Sequence, residues 1–390
     1  MRRHAPLIAL LVLALVEAAA VWFIMPLPGS QRVRSVELAY ALHLARWPLR
    51  AFCLTALAWG LPRLRTVGRA GRLVTAAVAA LAGGITYAAN FVLPADVLFR
   101  QPDHVTMVAP SEAGIAPDRL VVGLVLEGEA RAYPLQFIGY HHFVTDTIAG
   151  RPVLVTYCTV CRTGRIFDPR LDGAVETWRL VGMDQFNAML EDRTTGSWWR
   201  QANGEALVGP RRGTILTELP STQVTLGQWI ALHPDTRVMR GDPRFQAEYD
   251  DDYAFERGTS RSRLTGTDPR SWQPKSWVVG LRLGGIARAY DWNALLASGA
   301  IHDTLAGRPI VLVVAADSAS FFAFERADAT TRYTRDADSL RSGSTAYAFD
   351  GRGPAGTLKP IVASQEFWHS WQTFNPGTTR YPSDERPRAP

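Results

Sequence analysis

Three long apolar segments occupy the first quarter of the chain, and short alternating strands occupy most of the rest. Residues 6–28 carry a single charge, Glu17, and residues 73–93 carry none. Both are long enough to cross a bilayer as helices, and 6–28 is too long for the apolar part of a cleaved signal peptide. Residues 36–61 are apolar mainly in their second half and are predicted to form another span between these two. The pattern therefore predicts three transmembrane helices.

The middle segment is interrupted by His43, Arg46 and Arg50, whose spacing places them on one face of a helix. Two interpretations are open. The side chains could extend to the membrane interface, or they could form a buried polar site in the bundle. Because Glu17 and Glu37 are the only acidic residues nearby, the sequence favours the interfacial position.

Topology follows from the loop after the middle segment, which contains Arg63, Arg65, Arg69 and Arg72. Short arginine-rich loops stay on the cytoplasmic side. With three spans, the N-terminus and this loop are both cytoplasmic, and everything after residue 94 lies outside. The sequence thus predicts a multi-pass protein of the plasma (inner) membrane with a C-terminal domain outside the cytoplasm.

The remaining chain contains an internal duplication. Residues 121–168 and 278–325 align without a gap at an offset of 157, and a later match around Trp229 and Trp371 has an offset of 142. Each copy reads as a hairpin, a short helix and two more strands, which predicts a β-rich α+β domain of two repeats. The expected organisation is a membrane domain (1–94), repeat 1 (95–240), a connection (241–276) and a degenerate repeat 2 (277–390).

Charge and composition narrow the choice of function. The net charge is +6, but residues 1–92 carry ten arginines against two acids, so the basic excess belongs to the membrane segment and gives no reason to expect nucleic-acid binding. Lys275 and Lys359 are the only lysines. Three cysteines are too few for a disulfide scaffold or a four-thiolate zinc site. The acidic run at 250–252 is interpreted as a solvated loop rather than a cation site.

The candidate chemistry lies at Cys158 and Cys161, which follow the apolar strand 153–157. The second copy has Ala315 and Ser318 there, so the scaffold does not require cysteine at these positions. Two thiols at this spacing can exchange disulfides, bind a metal or form an inert bridge. A nearby arginine such as Arg162 would favour the nucleophilic thiolate.

His141 and His142 precede the motif by one predicted strand and are likewise absent from the second copy, which has Ser298 and Gly299. Their joint loss with the cysteines indicates a shared site. A histidine beside a thiol can act as its base or stabilise its thiolate. Alternatively, the two histidines and the two cysteines supply ligands that suit zinc or copper.

Several segments of the chain together resemble the bacterial family catalogued as domain of unknown function 3179: His141 to Asp146, Val155 to Asp168 with the two cysteines, Asn187 to Gln201, and Trp229 to Thr236. The resemblance implies an exported or membrane-anchored domain without an assigned activity. The resemblance also implies relatives that are described as selenoproteins, and this favours redox use of the motif. This chain departs from the usual Cys-Pro-Leu-Cys-Gly pattern, and it has Thr145 where the family tends to have asparagine.

Three functional hypotheses remain. In the first, the protein is a membrane-tethered thiol–disulfide oxidoreductase with a redox partner protein: Cys158 attacks, Cys161 resolves, His141 tunes the thiolate and Arg162 adds positive charge. In the second, Cys158, Cys161, His141 and His142 bind copper or zinc. In the third, the domain is a binding module braced by a structural disulfide.

Overall fold

The computed structural model describes residues 4–249 and 253–382, so the acidic run at 250–252 lies outside the described residues. The helices of the described part are α1 (Ala5–Trp22), α2 (Val36–Gly60), α3 (Arg69–Phe91), α4 (Ala95–Leu98), α5 (Leu135–His141), α6 (Leu226–Leu232), α7 (Trp292–Ser298) and α8 (Trp368–Phe374).

The strands are short and fill most of the chain after residue 105. They are β1 (Thr106–Val108), β2 (Leu120–Leu126), β3 (Glu129–Pro134), β4 (Phe143–Ile148), β5 (Arg151–Cys158), β6 (Thr163–Phe167), β7 (Arg170–Leu171), β8 (Ala174–Val175), β9 (Trp178–Asp184), β10 (Asn187–Asp192), β11 (Trp198–Arg200), β12 (Ala206–Val208), β13 (Glu218–Leu219), β14 (Thr222–Thr225), β15 (Arg237–Arg240), β16 (Trp277–Leu283), β17 (Ile286–Asp291), β18 (Ala300–Leu305), β19 (Arg308–Val314), β20 (Phe321–Glu325), β21 (Thr334–Asp336), β22 (Ser339–Ser342), β23 (Thr345–Ala348), β24 (Arg352–Gly353), β25 (Gly356–Thr357), β26 (Ala363–Phe367) and β27 (Thr379–Tyr381).

The chain divides into two compact units. The first contains the N-terminal hundred residues together with 176–200 and 205–215, and the second contains the remainder. Within the described part of the first unit, α1 and α3 are long and apolar enough to cross a membrane. Many of their apolar side chains are exposed, including Leu15 and Leu81. The middle predicted span forms the long helix α2, but α2 is not among the helices that are both long and apolar enough to cross a membrane.

A polar cluster joins the three long helices. Arg50 of α2 donates to Glu17 of α1 at 2.6 and 2.9 Å, and it also donates to the side-chain oxygen of Asn90 of α3 at 2.7 Å. Asn90 in turn donates to Glu17 at 2.9 Å, and Glu17 is buried. Arg50 therefore has an acidic partner 33 residues earlier, on another helix, and the interfacial position that the sequence favours for it stays a prediction.

The sheet of β9 to β12 belongs to the same unit as these helices. Tyr40 and His43 of α2 pack edge-on against the ring of Trp198. The indole nitrogen of Trp198 donates to Glu191 at 2.9 Å, and His43 lies 3.8 Å from the same carboxylate. Sequence inspection placed this segment within repeat 1, whereas its contacts join it to the helices.

The second unit contains two sets of elements with the same strand order. The first strand set comprises β2 to β6, β14, β15, α5 and α6, and its strands run β14-β2-β3-β15 in one sheet and β6-β5-β4 in another. The second strand set comprises β16 to β20, β26, β27, α7 and α8, with orders β26-β16-β17-β27 and β20-β19-β18. In both sets the strand beside the hairpin, β15 or β27, pairs in parallel with β3 or β17, respectively.

A tryptophan packed on a glycine occurs in each set. A Cβ added to Gly123 would lie 2.3 Å from the ring of Trp229, and one added to Gly280 would lie 2.2 Å from the ring of Trp371. Each indole nitrogen donates to the threonine hydroxyl seven residues further on, at 2.8 Å. Glycine is therefore required at both positions because a helix approaches the strand closely.

Candidate functional site

The two cysteines flank a tight turn between β5 and β6. Cys158 ends β5 and pairs with Thr163, the first residue of β6. The turn closes with Arg162 at a φ of 55°, a conformation that is uncommon for a residue with a side chain. Both cysteines are present as thiols, and both are fully buried.

This turn is covered by two segments of the second strand set. One lies just before β16, and the other runs from the end of β26 into α8. The backbone N–H of Phe367 donates to the carbonyl of Cys161 at 3.0 Å. The carbonyl of Val160, between the cysteines, lies 3.2 Å from Nε2 of His369 and accepts from Nζ of Lys275 at 2.7 Å. Burial and the neighbouring Lys275 lower the pKa of His369 to about 4, so this ring is neutral at pH 7.

Lys275 is a functional candidate that the sequence reasoning missed. Its ammonium group also donates to the carbonyl of Leu264 at 2.5 Å and lies 4.4 Å from the ring centre of Phe367. Burial lowers the pKa of Lys275 to about 8, although the charges of Cys161 and Cys158 act in the opposite direction. A single cation is thus bound to the backbone of the turn that carries both cysteines. The available signal was its rarity, since only two of the chain's 42 basic residues are lysines.

Arg162, the predicted source of positive charge, is fully buried and serves a different set of contacts. Its guanidinium donates to the carbonyls of Phe255 and Glu256 at 2.8 and 3.0 Å and to Gln365 at 3.1 Å. It also lies 3.6 Å from the ring centre of Trp277. These contacts hold the turn against the connection and against the second strand set.

The predicted histidines lie at the end of α5. Nε2 of His141 is 3.0 Å from the hydroxyl of Tyr249, and its ring packs against Phe245. His142 has a φ of 63°, and its carbonyl accepts from the N–H of Tyr157 at 2.8 Å. Burial lowers the pKa of His142 to about 4, so it is neutral at pH 7.

These residues do not assemble a recognisable metal cluster in the part of the chain that the structure describes. No group of three or more histidine, cysteine or acidic side chains is close enough there to hold a metal ion. A copper or zinc site at Cys158, Cys161, His141 and His142 therefore stays a prediction from the sequence.

The second strand set shows what the same backbone carries without this chemistry. Gly227 and His369 each donate a backbone N–H to a proline carbonyl just before their strand set, at 2.8 and 2.9 Å. The residue after that proline is Asp118 in the first case and Lys275 in the second. Lys275 and His369, which contact the cysteine turn, therefore differ from Asp118 and Gly227 at the matching positions. The same backbone hydrogen bond forms in both strand sets.

Two hydroxyls near the cysteines have no partner among residues 4–249 and 253–382. They are those of Tyr157 and Thr163, which flank the turn and are fully buried. Burial raises the pKa of Tyr157 far above its usual range, so it is a neutral hydrogen-bond donor. Gln201 is the last residue of the segment 187–201 that resembles the family. It donates to Thr156 of β5 at 3.1 Å and to the carbonyl of Thr163 of β6 at 3.0 Å, and it thereby connects the two strands.

Comparison with known proteins adds a family and no activity. Neither the curated proteins nor the solved structures contain a match to this chain. The model of the family described as protein of unknown function DUF3179 matches residues 99–378, which include the cysteine turn, the first strand set and the second strand set as far as α8. This range is well over half of the chain, and the chain therefore belongs to the DUF3179 family.

Proposed function

We propose that this chain is a membrane-tethered redox protein in which Cys158 and Cys161 alternate between the dithiol and the disulfide. The observation that carries the proposal is Lys275. Its ammonium group donates to the carbonyl of Val160, between the two cysteines, and a positive charge close to a thiol favours the thiolate, which is the nucleophilic form of cysteine. A purely structural bridge gains nothing from such a charge.

The proposed reaction is thiol–disulfide exchange. The thiolate of Cys158 attacks a partner disulfide, which forms a mixed disulfide and releases one partner thiolate. The thiolate of Cys161 then attacks the sulfur of Cys158 and releases the second partner thiolate. The partner gains two electrons and two protons, and the two cysteines lose them as their disulfide forms.

Burial limits the partner. Both sulfurs are fully covered, so exchange requires local opening of the segment that carries Lys275 or of the one that carries Phe367 and His369. We infer that the disulfide that Cys158 attacks belongs either to a small molecule or to an extended segment of a partner protein. His369 is neutral and does not compete with Lys275 for the negative charge.

The proposed setting is the plasma membrane, with α1, α2 and α3 all spanning it and the chain after residue 94 outside the cytoplasm. Arg50 of α2 is compatible with this arrangement because its charge is balanced by Glu17. Three spans also keep the arginine-rich loop on the cytoplasmic side. Reporter fusions after residues 66 and 100 should report cytoplasmic and extracytoplasmic locations, respectively.

We further propose that the two strand sets descend from a duplication and that only one set retained or acquired the redox site. The equal strand orders and the paired glycine–tryptophan contacts support this history. In this arrangement, residues of the second strand set cover the cysteine turn of the first strand set.

The decisive variants are Cys158→Ser and Cys161→Ser in the full-length protein in detergent. Each should lower the rate of exchange with glutathione disulfide by at least about 100-fold, because the nucleophile or the resolving thiol is lost. Cys53→Ser is the matched control and should leave the rate unchanged, since Cys53 lies in α2. Full activity in both single variants would contradict the proposal. Loss of bound copper or zinc with no exchange activity in the parent would instead favour metal binding.

A further inference from the structure

One cavity in the second unit lies away from the cysteine turn. It has a volume of about 610 Å³ and is formed by β2, α6, β20 and the segments around residues 350 and 361. Its wall includes Trp229, Phe322 and Phe349, and the rings of Phe322 and Phe349 are stacked at 5.0 Å. Asp350 and Arg352 also line it and pair with each other. We call this cavity the aromatic chamber. Its volume falls in the range of small-molecule sites.

A narrow neck adjoins the chamber and shares Ser221, Val362 and Ala363 with it. The neck has a volume of about 10 Å³, which is enough for roughly one oxygen atom. It is lined by Arg165 and Gln365, whose side chains are at least nine-tenths buried. Nε of Arg165 and Nε2 of Gln365 have no hydrogen-bond partner within the described residues. Two buried donors therefore line a space of one oxygen atom.

The charges around the neck decide what kind of acceptor fits. Arg165 is already paired with Glu218 at 3.0 Å and with Glu366 at 2.6 Å. A carboxylate in the neck would face both of these acids, and its second oxygen would not fit the volume. A neutral carbonyl oxygen can accept from both donors without added repulsion.

A crevice at the equivalent place of the second strand set lacks the aromatic wall. The shared fold therefore does not require that wall. The crevice beside Trp371 has a volume of about 210 Å³ and is lined by Arg165 and Arg282. At the offset of 157, Arg165 is the counterpart of Phe322. One crevice is thus polar and small, whereas the other is aromatic and large.

We propose that the aromatic chamber and its neck bind a neutral molecule with an aromatic body and a carbonyl oxygen, that is, an aryl ketone. The aromatic body packs among Trp229, Phe322 and Phe349. The carbonyl oxygen enters the neck and accepts hydrogen bonds from Nε of Arg165 and Nε2 of Gln365. This site is independent of the cysteine chemistry proposed above.

Benzophenone tests this assignment because it is a neutral aryl ketone that forms a covalent bond to nearby side chains on irradiation. The full-length protein in detergent is irradiated with benzophenone, and the labelled peptides are mapped by mass spectrometry. We expect labelling at Ser221, Val362 or Ala363, which line both the chamber and the neck and therefore lie near the reactive carbonyl. Fluorenone should compete about tenfold better than fluorene, which lacks the carbonyl and leaves the buried donors unsatisfied. It should also compete better than fluorene-9-carboxylate.

Two matched variants link the labelling to the chamber. Val362→Trp fills the neck side of the cavity, and Ile286→Trp adds the same ring on a different hairpin; the two parent residues are 43% and 44% exposed. Val362→Trp should lower labelling of the chamber by about tenfold, as expected for a blocked site, while Ile286→Trp leaves it unchanged. Labelling spread over other segments, or equal labelling in both variants, would overturn the proposal. Equal competition by fluorene, or the best competition by the carboxylate, would overturn the assigned ligand class.

Discussion

The two strand sets of the second unit share a strand order and differ at the cysteine turn. Both order their strands in the same way and pack a tryptophan on a glycine. In the turn, Cys158 and Cys161 stand where the other set has Ala315 and Ser318. In the cover, Lys275 and His369 replace Asp118 and Gly227, as described above.

The lesson is that four positions differ together although the strand order does not. The two turns also differ locally, because the residue with a positive φ is Arg162 in one and Ser318 in the other. A fold that closes equally well over alanine and serine has no structural need for two cysteines. Lys275 also has a charge opposite to that of its counterpart Asp118. We therefore attribute these four residues to chemistry at the turn, and the following experiments test that attribution from the largest expected effect to the smallest.

Moving the cysteine pair to the second strand set should lower the rate at which it reacts with disulfides. The variant combines Cys158→Ala, Cys161→Ser, Ala315→Cys and Ser318→Cys. The moved pair should react with glutathione disulfide about 30-fold more slowly at pH 7, since an unassisted thiol is only about 3% thiolate there. Stopped-flow measurement of exchange would show this. Equal rates in the parent and the moved pair would mean that the surroundings of the native turn add nothing.

The glycine contacts should behave alike in both sets. Gly123→Ala and Gly280→Ala each place a methyl group 2.2–2.3 Å from a tryptophan ring, which is too close for a packed core. Each should lower the stability of the domain by about 1–3 kcal/mol, as overpacking does. Thermal unfolding of the full-length protein measures the shift. Gly285→Ala is a poor control because of its positive φ, whereas Gly83→Ala, with open space around it and in α3, should be neutral. A loss in one set alone would contradict the structural equivalence.

Removing the charge of Lys275 should lower thiolate reactivity without removing the thiols. Lys275→Met should slow exchange at pH 7 by about tenfold, because one neighbouring charge typically changes thiol reactivity on this scale. Lys359→Met is the matched control, since Lys359 is the only other lysine and pairs with Glu325 at the surface. The same loss in both variants would contradict the role of Lys275.

The pH dependence of this effect has a definite sign. Burial lowers the pKa of Lys275 to about 8, so the ammonium is present below that pH and is lost as the pH rises through it. The ratio of parent to Lys275→Met rates should therefore be largest below pH 8 and approach one above it. A ratio that stays constant from pH 6 to pH 10 would show that Lys275 acts through packing.

Much of the fold could be predicted from the sequence because its signals are local or repeated. The offset of 157 predicted a hairpin, a short helix and two strands in each copy, and the structure has β2–β5 and β16–β19 in that arrangement. The partner of Arg50 could not be predicted, because Glu17 meets it only when two helices pack.

The site was predicted only in part for the same reason. The cysteines were visible as a motif that the second copy lacks. Lys275 and His369 lie 114 and 208 residues beyond Cys161, and they reach it only because one strand set covers the turn of the other. Arg162 is adjacent in sequence, but its guanidinium is occupied by backbone carbonyls.

The reduction potential of the Cys158–Cys161 pair tests the central claim most directly. It should be measured in the full-length protein by alkylation in glutathione and dithiothreitol redox buffers, with mass spectrometry to separate the site peptide from that of Cys53. The account predicts a value between about −120 and −270 mV, the range of exchange-competent pairs. A value below about −300 mV would mark a structural disulfide and contradict the redox function.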